Sequence, residues 1–211
     1  GGSRLIQQRR VTAEQTRALA WLLLGLVALA GILLAVHAGG GLLLIGLAGL
    51  LLAWAYSAPP LKLMSRGLGE LAVACAWWLI VIGADYVQRR QFLLVPALTA
   101  ISYALLMANI LLVNGLPDAA SDARVGKRTL AVRLGARGSA LLYLLIALLA
   151  HGWLAFAALQ QLQPLATLWG LLALPLSLAA AWWLWRQAEQ PAGLRPAIVL
   201  SILAALVHAA G

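Results

Sequence analysis

Acidic residues are scarce in this chain. Its 211 residues include 6 Asp and Glu against 15 Lys and Arg, a formal net charge of +9. In a soluble protein such a balance would point to nucleic acid. Here the basic residues sit in short stretches between apolar runs, where membrane topology already accounts for them, so no nucleic-acid partner is expected. Cysteine is nearly missing as well. Cys75 is the only one; it excludes an internal disulfide and says nothing about redox compartment. No Cys/His cluster suggests zinc, and no haem or nucleotide motif appears. Internal repeats and low-complexity linkers are lacking, which leaves a single domain over residues 1–211.

Apolar residues fill the rest. At 64% hydrophobic, with runs near twenty residues recurring along its length, the chain reads as an all-α integral membrane protein, a bundle of about seven transmembrane helices. The spans are expected near 18–36, 42–57, 68–87, 93–113, 139–159, 165–185 and 196–210. Thr12, with Gln15 three positions on, reads as a capped helix start. Pro59 and Pro60 end the second span. Pro175 predicts a kink in the sixth. The seventh is short for a full crossing, so a trimmed C-terminus is expected. Seven spans put every basic residue except Arg89 and Arg90 on one side, and the positive-inside rule makes that side cytoplasmic. Trp21, Trp54, Trp182, Trp183 and Trp185 fall near its helix ends as an aromatic belt, while mid-helix Trp77 and Trp78 pack against neighbours or lipid. His37, His151 and His208 fall at or near the opposite ends and read as interface residues. Asp85, on that opposite side, is expected to pair with Arg89 or Arg90.

One polar island, NGLPDAASDARVGKRTLAVRLG from Asn114 to Gly135, interrupts the hydrocarbon. It holds Asp118 and Asp122. Asn114, Asp118 and Asp122 are spaced i, i+4, i+8, which on a helix places them on one face. Stacked carboxylates can hold Mg²⁺, which takes one or two of them and shares its shell with water and phosphate oxygens. Arg124, Lys127, Arg128 and Arg133 follow closely. Carboxylates for Mg²⁺ beside cations for phosphate suggest a diphosphate site. The alternative reading is a charged loop that only obeys topology.

The pattern N-x-x-x-D-x-x-x-D followed by GKRTLAVRLG resembles the second aspartate-rich motif of the UbiA-type intramembrane prenyltransferases, most of all the branch that prenylates 1,4-dihydroxy-2-naphthoate in menaquinone synthesis. YSAPPLKLMSRGLGE, from Tyr56 to Glu70, is similar to a second segment of that family. GGSRLIQQRRVTAEQ, from Gly1 to Gln15, is similar to the segment after its first aspartate-rich motif. The three stretches span residues 1–137. The chain begins Gly-Gly-Ser-Arg without Met, and the resemblance implies that two of nine family helices and the first metal motif lie upstream.

The resemblance implies an enzyme of the inner (plasma) membrane of a bacterium, its site facing the cytoplasm, which transfers a polyprenyl group from a prenyl diphosphate to an aromatic acceptor with Mg²⁺. Asp118 and Asp122 would bind the metal and Asn114 would assist. Lys127, Arg128 and Arg4 are phosphate candidates, each with a plain topological role as the alternative. Lys62 and Arg66 supply cations, and Tyr56 and Ser57 hydrogen-bonding groups, in the loop after the second span. Glu70 closes that motif, at a helix start that already favours a carboxylate. Asn109 either lines the cavity or joins helices. With one carboxylate pair, residues 1–211 alone are expected to be inactive. The alternatives are a degenerate non-catalytic relative and a multi-helix transporter or scaffold; the polar residues gather at one face and show no repeat, unlike a transporter's midplane site.

Overall fold

The computed structural model describes residues 8, 10–188 and 190–211. Among them every regular element is helical. Helix α1 (Ala13–Ala38) starts at the expected cap: Gln15 N–H donates to Thr12 Oγ1 at 3.1 Å, and Thr12 N–H to Gln15 Oε1 at 3.0 Å. Helix α2 (Gly41–Ser57) ends before Pro59 and Pro60, and a 3₁₀ turn (Leu63–Ser65) leads to α3 (Gly69–Arg89). Then follow α4 (Leu94–Gly115), the short α5 (Ala119–Arg124), α6 (Leu130–Leu159), a 3₁₀ stretch (Leu165–Ala173), α7 (Leu174–Arg186), a 3₁₀ turn (Pro191–Leu194) and α8 (Arg195–Ala210). Six helical runs are long and apolar enough to cross a membrane. With α2, of 17 residues, they make the seven expected spans. At 1.5 Å per residue α2 is about 26 Å long, a little under a hydrocarbon core of about 30 Å.

The bundle is built inside out relative to a soluble protein. Its centre is largely alanine: Ala131, Ala140, Ala147, Ala180, Ala181 and Ala197 pack with Leu112, Val113, Tyr143 and Leu184 where α4, α6, α7 and α8 meet. Small side chains let helix backbones approach, which drives association where the surroundings are as apolar as leucine. The large side chains point outward. Leu22, Val27, Leu33, Leu44 and Trp21 are all exposed, an apolar surface suited to lipid. Helix α1 packs mainly on α2 and α3 and buries only Ala35 and Ala38.

The structure departs from the sequence expectation at four places. First, Asn114, Asp118 and Asp122 do not share one helix. Pro117 has no N–H, so α4 closes at Gly115, and i→i−3 bonds from Leu116 to Val113 O and from Ala119 to Leu116 O turn the chain into α5. Asp118 and Asp122 stay one turn apart, since Asp122 N–H donates to Asp118 O at 2.9 Å. Second, α6 begins at Leu130, capped by the Thr129 hydroxyl, rather than at Ser139, and breaks at Gly135 (φ 66°, ψ −177°). Third, Pro175 produces no mid-helix kink; it lies in the first turn of α7, where its missing N–H costs nothing. Fourth, His151 and His208 are not interface residues. They are 3% and 7% exposed, buried where α4 and the 3₁₀ stretch pack against α6 and α8. His37 is exposed, and Asp85 pairs with Arg89 at 2.9 Å, as expected.

Candidate active site

The loop after α2 and the polar island are stitched together through their backbones. Arg128 N–H donates to Ser65 O at 2.8 Å. Arg133 Nε donates to Arg128 O at 2.9 Å, and its Nη2 reaches Arg66 O at 3.0 Å. One guanidinium thus clamps two loops 67 positions apart in sequence, a geometry its planar fork suits better than an ammonium. Gly67 makes the approach possible. Its φ of +77° is left-handed, and a Cβ there would stand 3.0 Å from Arg133 Nε and 3.1 Å from Arg128 O.

The joined loops bring four candidate side chains to one end of the bundle. Lys127 Nζ donates to Asp122 Oδ1 at 2.8 Å, both side chains partly buried. Tyr56, at the last turn of α2, lies within electrostatic reach of both Lys127 and Glu70. Glu70 is 8% exposed at the start of α3, where the helix dipole favours a carboxylate. Beside it α3 packs on α2 at ordinary contact distance, Tyr56 Cε2 standing 3.7 Å from where a Cβ on Gly69 would lie. Cation, carboxylates and phenol therefore gather at one end of the bundle.

Tyr56 also opens onto hydrocarbon. With Gly49, Leu52, Ala53, Ala72, Val73 and Ala76 it lines an apolar groove of about 270 Å³ between α2 and α3. From Tyr56 to Gly49 the groove follows seven residues of helix, about 10 Å into the span. A second pocket, of about 290 Å³, lies behind α5 against the start of α6 and is lined by Ala119, Ala120 and Ala123. Those alanines occupy a different face of α5 from Asp118 and Asp122.

The remaining candidates divide. Arg4 lies outside the described residues. Asn114, Ser57, Lys62 and Arg128 are exposed at the same end of the bundle. Arg66 is partly committed to the loop itself, its Nη2 donating to Pro60 O at 2.8 Å. Asn109 is 1% exposed, and its Nδ2 donates to Tyr143 O at 3.0 Å, joining α4 to α6. Sequence reasoning did not single out Ser65, Gly67 or the clamping role of Arg133. Only Gly67, inside the Tyr56–Glu70 segment, left a trace in the sequence; a bond to a backbone carbonyl leaves none.

For Mg²⁺ the donor set fits. Asp118 and Asp122 lie partly exposed on one turn, and Lys127 takes one carboxylate oxygen of Asp122 and leaves the other. Among the described residues no group of three His, Cys, Asp or Glu forms a closed cage. Two partly exposed carboxylates one turn apart suit a cation that keeps water and phosphate oxygens in its shell.

The model of the UbiA prenyltransferase family matches residues 2–204. A 1,4-dihydroxy-2-naphthoate octaprenyltransferase of Mycobacterium tuberculosis (strain ATCC 25618 / H37Rv) is 36% identical over 186 residues, covering 86% of this chain and 61% of that protein. The 1,4-dihydroxy-2-naphthoate octaprenyltransferase of Escherichia coli (strain K12) is 35% identical over 145 residues, covering 67% of this chain and 46% of that protein. The chain therefore spans about half to three fifths of the length of these curated relatives. No solved structure matches it.

Proposed function

The chain belongs to the UbiA prenyltransferase family, and from that premise we propose that it transfers a polyprenyl group from a prenyl diphosphate to an aromatic acceptor of the 1,4-dihydroxy-2-naphthoate type. The observation that carries the reading is the position of Tyr56. It stands between the Asp122–Lys127 pair and an apolar groove running into the span. A prenyl diphosphate has the same two ends: a charged head and a hydrocarbon tail. The concentration of basic residues at this end supports a cytoplasmic orientation in an inner (plasma) membrane.

In the proposed reaction the allylic carbon–oxygen bond breaks, and the diphosphate leaves with the electron pair. The allylic carbon gains positive charge, an electron-rich ring carbon attacks it to form a carbon–carbon bond, and that ring position loses its proton. Asp118 and Asp122 would hold Mg²⁺, assisted by Asn114; when bound, the ion withdraws charge from the departing diphosphate. Lys127 and Arg128 offer cations to the same oxygens, with Lys62 and Arg66 on the facing loop. Tyr56 offers an O–H at the junction of head and tail. The Arg133 clamp holds the two loops in register, so that the charges need not reorganise as the bond breaks.

The relatives' names favour naphthoate as the acceptor. The test is an assay of the full-length protein in membranes with a prenyl diphosphate and either 1,4-dihydroxy-2-naphthoate or 4-hydroxybenzoate. Prenylated naphthoate formed only with Mg²⁺ is expected. Product from neither acceptor would count against catalysis, and product from 4-hydroxybenzoate alone against the acceptor assignment.

A further inference from the structure

At the end of the bundle opposite the polar island, three buried side chains carry polar atoms with no partner among the described residues. The tautomers follow from their partners. His151 Nδ1 lies 2.8 Å from Ala147 O; a carbonyl only accepts, so Nδ1 carries the proton and Nε2 is a lone pair. The Ser102 hydroxyl donates to Thr99 O at 3.1 Å and also lies 2.9 Å from His208 Nε2. Where Ser102 gives its proton to Thr99 it accepts from His208 Nε2–H, and His208 Nδ1 is then a lone pair; that is the tautomer a metal ion on Nδ1 would select. Gln163 Nε2 donates to Leu154 O at 2.9 Å, which turns Oε1 the other way. His151 Nε2, His208 Nδ1 and Gln163 Oε1 are all buried without a hydrogen-bond partner among the described residues. The Gly170 backbone lies beside His208 Nδ1 but outside hydrogen-bond geometry.

The His151 and His208 rings lie edge to face, and Gln163 shares a cavity with His208, so lone pairs gathered here suit a positive charge. The two imidazole centroids are 5.7 Å apart with their planes at 78°. Two imidazoles sharing a tetrahedral ion at about 2.0 Å per nitrogen place their centroids about 5 Å apart, so a small rotation of either ring suffices. The other nitrogen of each ring is already held, by Ala147 O and by Ser102, as the outer partners of metal-bound histidines are. Gln163 and His208 line one cavity of about 380 Å³, which gives an ion an approach.

We propose that His151 and His208, with Gln163 as a third oxygen ligand, form a site for a divalent transition metal of borderline softness such as Zn²⁺, the class that imidazole prefers. The site is separate from the Asp118–Asp122 pair. Ser102 and Asn114 are twelve residues apart on α4, about 18 Å along its axis. Bound metal would pin α6 to α8, with α4 attached through Ser102.

The test uses full-length protein, purified in detergent without a histidine tag, stripped of metal and kept in saturating Mg²⁺. One Zn²⁺ per chain is expected, and Co²⁺ in its place should give the visible absorption of a nitrogen-ligated tetrahedral ion. His151→Ala and His208→Ala should each weaken Zn²⁺ binding at least tenfold, while His37→Ala leaves it unchanged. No saturable binding, or binding intact in both variants, overturns the proposal. If the variants do not assemble, zinc-edge X-ray absorption of the wild-type protein decides: two imidazole ligands are expected, and one or none overturns it.

Discussion

Arg133 donates to the backbone oxygen of Arg66 at 3.0 Å while its Nε donates to the backbone oxygen of Arg128 at 2.9 Å. Neither partner is a carboxylate. The guanidinium leaves the acidic residues for other work and spends its donors on holding two loops at a fixed separation. Arg133→Lys keeps the charge but cannot serve both carbonyls. The expected stability loss is about 1 kcal/mol, because the side chain is exposed. The expected loss of prenyl transfer is larger, at least tenfold. Parallel melting and turnover measurements on the full-length protein would show this; turnover falling no further than stability would mean that the clamp is only structural.

The carboxylate pair should be indispensable. Asp118→Ala or Asp122→Ala is expected to reduce Mg²⁺-dependent transfer by about 100-fold or more. Insertion into the membrane should be unaffected, because both residues lie outside the buried core. Chelation of Mg²⁺ in the wild-type enzyme should give the same loss, reversed on adding the ion back. Near-normal turnover in either variant would remove these residues from the site.

The groove between α2 and α3 makes a separate prediction. Ala53 lines it, and Ala53→Trp would fill part of it. Losing contact with two methylenes of the prenyl tail, each worth about 0.8 kcal/mol, corresponds to about a tenfold rise in KM for the prenyl diphosphate. The acceptor's KM should stay constant. A rise in acceptor KM instead would give the groove to the other substrate.

Asn109 distinguishes helix contact from substrate contact. Interhelical hydrogen bonds in membranes are worth about 0.6 kcal/mol on average, and Asn109→Leu also removes the unpartnered Oδ1. Stability should therefore change by less than about 1 kcal/mol, with both KM values unmoved. A selective increase in either KM would restore Asn109 to the cavity wall.

The spans were legible because hydropathy is additive along the chain, and each apolar run became a helix. Local chemistry was legible too. The Thr12–Gln15 cap and the Asp85–Arg89 pair depend on residues three and four positions apart. What could not be read was set by distant backbone or by helix rotation. The Ser65–Arg128 bond joins two main-chain groups and leaves no mark on residue type. His151 and His208 sit in apolar runs where lipid-facing and interior positions look alike; only the packing of α4 and the 3₁₀ stretch against α6 and α8 turned them inward. At the polar island the i, i+4, i+8 spacing was intact, but Pro117 divided the helix that the spacing assumed.

The 3₁₀ stretch before α7 has a further consequence. Burial along it repeats every third residue: Ala166, Trp169 and Leu172 face outward, while Gly170 and Ala173, in file with the half-buried Thr167, face inward. With three residues per turn these files run straight along the axis, whereas on an α-helix they would wind around it. Length and facing are therefore decoupled here. Removing one whole turn would shorten the wall by about 6 Å and leave every remaining side chain pointing where it did, an adjustment to membrane thickness that an α-helical wall could not make without rotating.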